Sequence, residues 1–195
     1  MKKSGIWIAV IAAVVVLVIW GVSAYNGLVT KEENVEEKWS QVENVYQRRA
    51  DLINNLVAIV AGYAEHEKST LQGVVEARAK ATSVQVDPSK LNETNIAQFE
   101  AAQSELSSAL SRLMVVVEKY PDLKANENFI LLQSQLEGTE NRISVERKNF
   151  NEAAKNFNTA IRVFPKNIIA NMCGFEKKAY FAAKEGADVA PVVEF

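Results

Sequence analysis

FILLQSQLEGTENRISVERKNFNEAAKNFNTAIRVF, residues 129–164, carries Phe129, Leu136, Ile143, Phe150, Phe157 and Phe164 seven residues apart. That spacing places all six on one face of a helix that must pack against other helices. Leu132, Ala153 and Ala160 fill intervening positions. Large rings beside alanines imply close packing, since a small residue lets a facing ring enter. Pro165 stops the helix, because the residue before a proline is pushed out of the helical region. Upstream, Phe99, Leu106, Leu113 and Tyr120 repeat the pattern, flanked by Ala102, Leu110 and Val117. This predicts a second helix that ends before Pro121. It is preceded by a connection, SVQVDPSKLNET at 83–94, rich in turn and capping residues. Further upstream, Val35, Trp39, Val42, Tyr46, Ile53, Leu56, Val60 and Tyr63 alternate steps of four and three, broken only at Arg49. The stripe continues through Leu71, Val74 and Ala77 with only Gly62 and Gly73 as weak spots. It predicts one helix over 30–82, about 80 Å long at about 1.5 Å per residue. A short fourth helix is expected over 166–184, followed by a tail that Pro191 keeps extended. The pattern predicts an all-α chain, a bundle of antiparallel helices joined by short turns with a very long first helix.

Composition narrows the function. The chain has 195 residues, 48% apolar and 24% charged, room for one domain with an appendage. Eight Gly and four Pro lie below average usage, against a turn-rich β-sandwich or disorder. One Cys and one His exclude internal disulfides, a cysteine-built zinc site and a histidine pair. A formal net charge of −2 argues against nucleic acid as a partner, because displacing phosphate counterions needs a basic face.

The span IWIAVIAAVVVLVIWGVSA, residues 6–24, has no charge, and a helix needs about 20 apolar residues to cross the bilayer core. Ile6, Trp7, Leu17, Trp20 and Ala24 mark this expected anchor. Trp7 and Trp20 lie near its ends with Tyr25 just after, where amphipathic rings settle at the headgroups. The alternative is a cleaved signal peptide, with Lys2 and Lys3 as its basic region and Val22-Ser23-Ala24 as the cleavage site. The run's length favours retention. Lys2, Lys3 and the amino terminus before the span, against Lys31 and Lys38 after it, place the N-terminus inside by a small margin.

No Gly-rich phosphate loop, nucleophile elbow or Ser-His-Asp arrangement can be proposed, so no catalytic, cofactor-binding or metal residues are assigned. His66 in EHEKST begins like the HExxH zinc helix, but Thr70 stands where the second histidine belongs. Arg49 on the apolar stripe needs a carboxylate, and Glu140 or Glu146 on the third helix could supply it. An ion pair that fixes helix register is preferred over a catalytic one. Asn54, Asn55, Asn126, Asn128 and Asn141 form a polar set suited to helix ends and interhelical hydrogen bonds. The second helix, about 40 Å at about 27 residues, is too short to cover the first. Val35, Trp39, Val42 and Tyr46 are therefore the expected interaction surface, unless the third helix, at about 60 Å, covers them.

Several blocks are similar to those of the LemA family of bacterial membrane-anchored proteins: YNGLV at 25–29, RRADLINNLV at 48–57, GYAEHE at 62–67 and GVVEARAKA at 73–81. YPDLKANENFILLQSQLEGTENRISVERKNFNEAAKNFN at 120–158, FPKNIIA at 164–170 and the closing PVVEF extend the resemblance over nearly the whole chain. It implies an antiparallel up-and-down four-helix bundle behind one N-terminal span and no assigned chemical activity. One branch resembles proteins that shape magnetosome membranes. Asn54 stands where the family commonly has Pro, which implies a straighter first helix, and Phe150 and Phe157 stand where Tyr is more usual. The resulting division is an anchor at 1–24, a bundle at 25–185 and an extended tail at 186–195. The expected function is a single-pass scaffold of the bacterial inner membrane, with the bundle on the outer side. It meets lipid through the span, self-associates into a homo-oligomer and offers a surface to a membrane-protein partner. A membrane-tethered ligand-binding or adaptor domain is the alternative.

Overall fold

The computed structural model describes residues 2–182, so the tail expected at 186–195 lies outside the described residues. The elements are α1 (Lys2–Tyr63), α2 (Lys68–Ser83), a 3-10 turn (Pro88–Lys90), α3 (Glu93–Val117), α4 (Pro121–Lys124), α5 (Glu127–Ala160) and α6 (Lys166–Cys173). Among the described residues there is no strand.

The helix expected over 30–82 is two helices. α1 passes through Asn54 and ends at Tyr63, and Ala64 to Glu67 form a turn in which the Glu67 N–H donates to the Ala64 carbonyl. A continuous helix would leave Leu71, Val74 and Ala77 without neighbours in water. The fold-back instead buries Val74, Ala77 and Ala81 in one cluster with Ile53, Leu56 and Val60 of α1, and burial of apolar area outweighs the lost helical bonds. α2 returns along α1, so that Arg78 Nε donates to the Ala50 carbonyl at 2.9 Å. α3 lies against α2, with Gln103 donating to the Ala81 carbonyl and Lys80 meeting Glu105. α5 makes the most extensive packing, along α1. At its start Asn126 accepts from the Phe129 N–H and donates to the Tyr63 hydroxyl, tying the far end of α1 to the α5 cap.

Two other expected boundaries are also corrected. α5 stops at Ala160, and Phe164 is exposed rather than on the stripe, because the chain leaves helical geometry before Pro165. The fourth helix ends at Cys173, not near 184, because Gly174 takes a left-handed conformation (φ 75°) that L side chains disfavour. The chain then runs without regular structure through Ala182.

The buried residues form two clusters. One joins Leu28, Trp39, Tyr46, Phe99, Phe150, Phe157 and Phe181, and the other joins Ile53, Leu56, Val60, Leu106, Leu113 and Phe129. Arg49 lies on α1 between them, four residues before Ile53.

Candidate functional site

The N-terminal part of α1 is bare. Ile6, Trp7 and Leu17 are exposed, and none of the other described residues covers any part of its apolar window. Trp20 is half-buried and Ala24 is buried, so the expected anchor set divides into a lipid-sized free stretch and a packed end. At that end α6 reaches α1. A side chain added at Gly21 would meet Ile169, and the rings of Tyr25 and Phe175 lie 5.7 Å apart.

The expected interaction surface is not a surface. Val35, Trp39 and Val42 are 0% exposed and Tyr46 is 6% exposed. α5 and the chain's return after α6 cover them: Trp39 packs edge-on to Phe99 and Phe150 and stacks on Phe181 at 5.8 Å. The alternative, that the third helix covers this end, is what α5 does, and the length comparison also left out the return segment at 175–182, which supplies Phe181.

Arg49 is 4% exposed. Its Nη2 lies 2.7 Å from Glu140 Oε1 and donates to Ser107 Oγ at 2.9 Å, while Glu146 accepts from Asn149 on its own helix. The Glu140 side chain is 43% exposed, so the pair is buried at one end only. This asymmetry sets the cost of breaking it. Glu140→Ala leaves a buried guanidinium with one neutral partner and is expected to cost about 2–3 kcal/mol. Arg49→Met leaves a carboxylate that water can reach, and is expected to change stability by under about 1 kcal/mol. Urea unfolding of both variants checks the ordering, which a purely exposed Arg49 would not produce.

These residues line an open groove of about 1110 Å³ that Tyr46, Glu100, Ser104, Arg147 and Phe181 also border. Arg147 pairs with Glu100, donates to the Ala182 carbonyl at 3.0 Å and lies 4.5 Å over the Phe181 ring. Each guanidinium is thus matched by a carboxylate, and Lys148 at the groove's edge leaves its lining with one positive charge in excess. Burial pushes the Tyr46 hydroxyl above its ordinary 10.0, keeping it a neutral phenol. Ser107 gives its proton to the Gln103 carbonyl and its lone pair to Arg49, which leaves its oxygen without a base to activate it. His66 is exposed, and among the described residues no three His, Cys, Asp or Glu side chains converge.

The most ordered polar contacts were not anticipated from the sequence. Asn158 accepts from the Lys178 N–H at 2.9 Å and donates to the Lys178 carbonyl at 2.8 Å. Asn151 repeats this with Phe181, accepting at 2.9 Å and donating at 3.0 Å. The two amides stand in for a partner strand and hold 178–181 extended along α5. Lys178 is buried, with Nζ 2.6 Å from Glu32 and donating to the Ser89 carbonyl. The available signal was a doublet, Phe150-Asn151 and Phe157-Asn158, seven residues apart. Asn158→Ala strands both backbone groups of Lys178 and is expected to cost about 2 kcal/mol. Hydrogen exchange should show the Lys178 and Phe181 amides losing protection while the interior of α3 keeps its own.

Comparison with known proteins returns one family and a consistent set of relatives. The profile of the LemA family matches residues 38–195. The magnetosome proteins MamQ 1 and MamQ 2 of Paramagnetospirillum magneticum are each 27% identical over 186 residues, covering 87% of this chain and 68% of theirs. Protein LemA of Metamycoplasma hominis is 25% identical over 160 residues, covering 82% of this chain and 69% of its own.

Proposed function

The chain belongs to the LemA family, and from that premise we infer that it is a single-pass, membrane-anchored helical scaffold that works by assembly rather than by catalysis. The observation that carries this is the uncovered stretch at 6–24, which shares one unbroken helix with the packed stripe at 35–60. At about 1.5 Å per residue α1 is about 90 Å long, of which the charge-free stretch takes about 28 Å, one hydrocarbon thickness. The rest is the spine of an up-and-down bundle of α1, α2, α3 and α5, supported by the return contacts of α2 on α1 and α5 on α1. The bacterial family supports placement in the inner membrane, and the amino terminus added to Lys2 and Lys3, against Lys31 and Lys38 after the span, supports an outward-facing bundle.

Self-association has to use something other than the covered stripe. Gly5 just before the span and Ala9 and Ala13 on it stand four apart, a spacing of small residues that lets helix backbones approach in lipid. The relatives named as magnetosome proteins fit the resemblance, noted above, to proteins that shape membrane. Cross-linking in native membranes followed by sizing in mild detergent tests this. Dimers or larger species that Ala9→Leu disperses support the scaffold. A single-chain species in lipid at every concentration overturns it, and favours instead a tethered ligand-binding or adaptor domain using the groove beside Arg49, Arg147 and Glu140.

A further inference from the structure

α6 and the turn before it lie beside the last turn of the charge-free stretch. Ile169 faces Gly21, three residues short of Ala24, and Phe175 packs on Tyr25. Three residues of helix are about 4.5 Å, so α6 sits just inside the end of the apolar run. Interfacial helices rest about 5–10 Å into the boundary between headgroups and acyl chains. At this depth the segment is apolar outward. Phe164, Ile168 and Met172, four residues apart, are 79%, 48% and 79% exposed, and Val163 beside them is 50% exposed. Ile169 and Ala170 meanwhile face the protein. From Ile161 to Phe175 the chain carries Arg162 and Lys166 and no carboxylate, the charge that anionic lipid headgroups attract.

We propose that residues 162–172 form a second membrane contact, an interfacial wedge that seats Phe164, Ile168 and Met172 in the leaflet beside the span. It rests on the anchoring proposed above. The wedge clamps the bundle to the bilayer at two points, α1 and α6, and so fixes its tilt where a lone span would let it swivel. It also explains an exposed apolar face on a chain that otherwise covers its stripes: at that position the face meets acyl chains and not water.

The test uses the full chain in phosphatidylcholine–phosphatidylglycerol vesicles with a nitroxide quencher midway along the lipid acyl chain. Cys173, the only cysteine, is replaced by Cys173→Ser. A fluorophore is then attached through Ile168→Cys or, separately, Met172→Cys. Val14→Cys in the span and Val115→Cys, on exposed α3 far along the bundle, serve as references. Both α6 probes are expected to be quenched to at least about half the extent of the Val14 probe, as an interfacial depth requires, with Val115 unaffected. Quenching at Val14 together with α6 probes that behave like Val115 overturns the wedge and leaves the anchor standing. An unquenched Val14 probe removes both.

Discussion

Trp39→Ala is expected to destabilise the protein by about 3–5 kcal/mol without changing its oligomeric state. Trp39 is fully buried where α1, α3, α5 and the return segment meet, in contact with Phe99, Phe150 and Phe181. Truncation removes the largest side chain of that cluster and leaves a cavity that three rings from separate segments cannot all move to fill. The edge-on and stacked geometries add a further increment beyond buried area. The loss should appear as an earlier urea midpoint with the slope preserved. An unchanged midpoint with weaker self-association would return Trp39 to the surface and undo the packing described for 175–182. Phe181→Ala, which opens the same cluster from the return segment, should share part of the Trp39→Ala loss, so that the double variant costs less than the two single losses added.

Much of this core was legible as spacing. The stripes at Phe99, Leu106 and Leu113 and at Phe129, Ile143, Phe150 and Phe157 are buried, because a period of seven on a helix is itself a statement about a facing helix. Arg49 was legible as the one charge in such a stripe, since a buried charge demands a partner. The fold-back at 64–67 was not. AEHE contains no proline or glycine and suits a helix well, so only the tertiary gain from burying α2 decides the break. The return segment was not legible either. An extended stretch held by asparagine side chains from another helix has no period of its own, and its partners are chosen in three dimensions. The burial of Val35, Trp39, Val42 and Tyr46 comes from α5 and Phe99 of α3 together with that segment, which is why comparing the first two helix lengths pointed the wrong way.

The span carries the largest expected effect of all. Val14→Arg together with Leu17→Arg places two charges near the middle of the charge-free stretch. Insertion costs about 2.5–3.5 kcal/mol for each at the helix centre. Both side chains lie in the part of α1 that the other described residues leave uncovered, so among those residues no group is in place to pair with them. The variant is expected to leave the membrane fraction, whereas Val14→Leu with Leu17→Val should stay in it. Since the bundle's own core lies beyond Ala24, its near-ultraviolet spectrum should be retained in the released protein.

Alkaline carbonate extraction of native membranes, with the N-terminus of the extracted chain determined, tests the anchored scaffold most directly. The protein is expected in the pellet with residues 6–24 still attached. Recovery in the supernatant as a chain beginning at Tyr25 would show the stretch to be a cleaved leader, and would leave the bundle without an anchor.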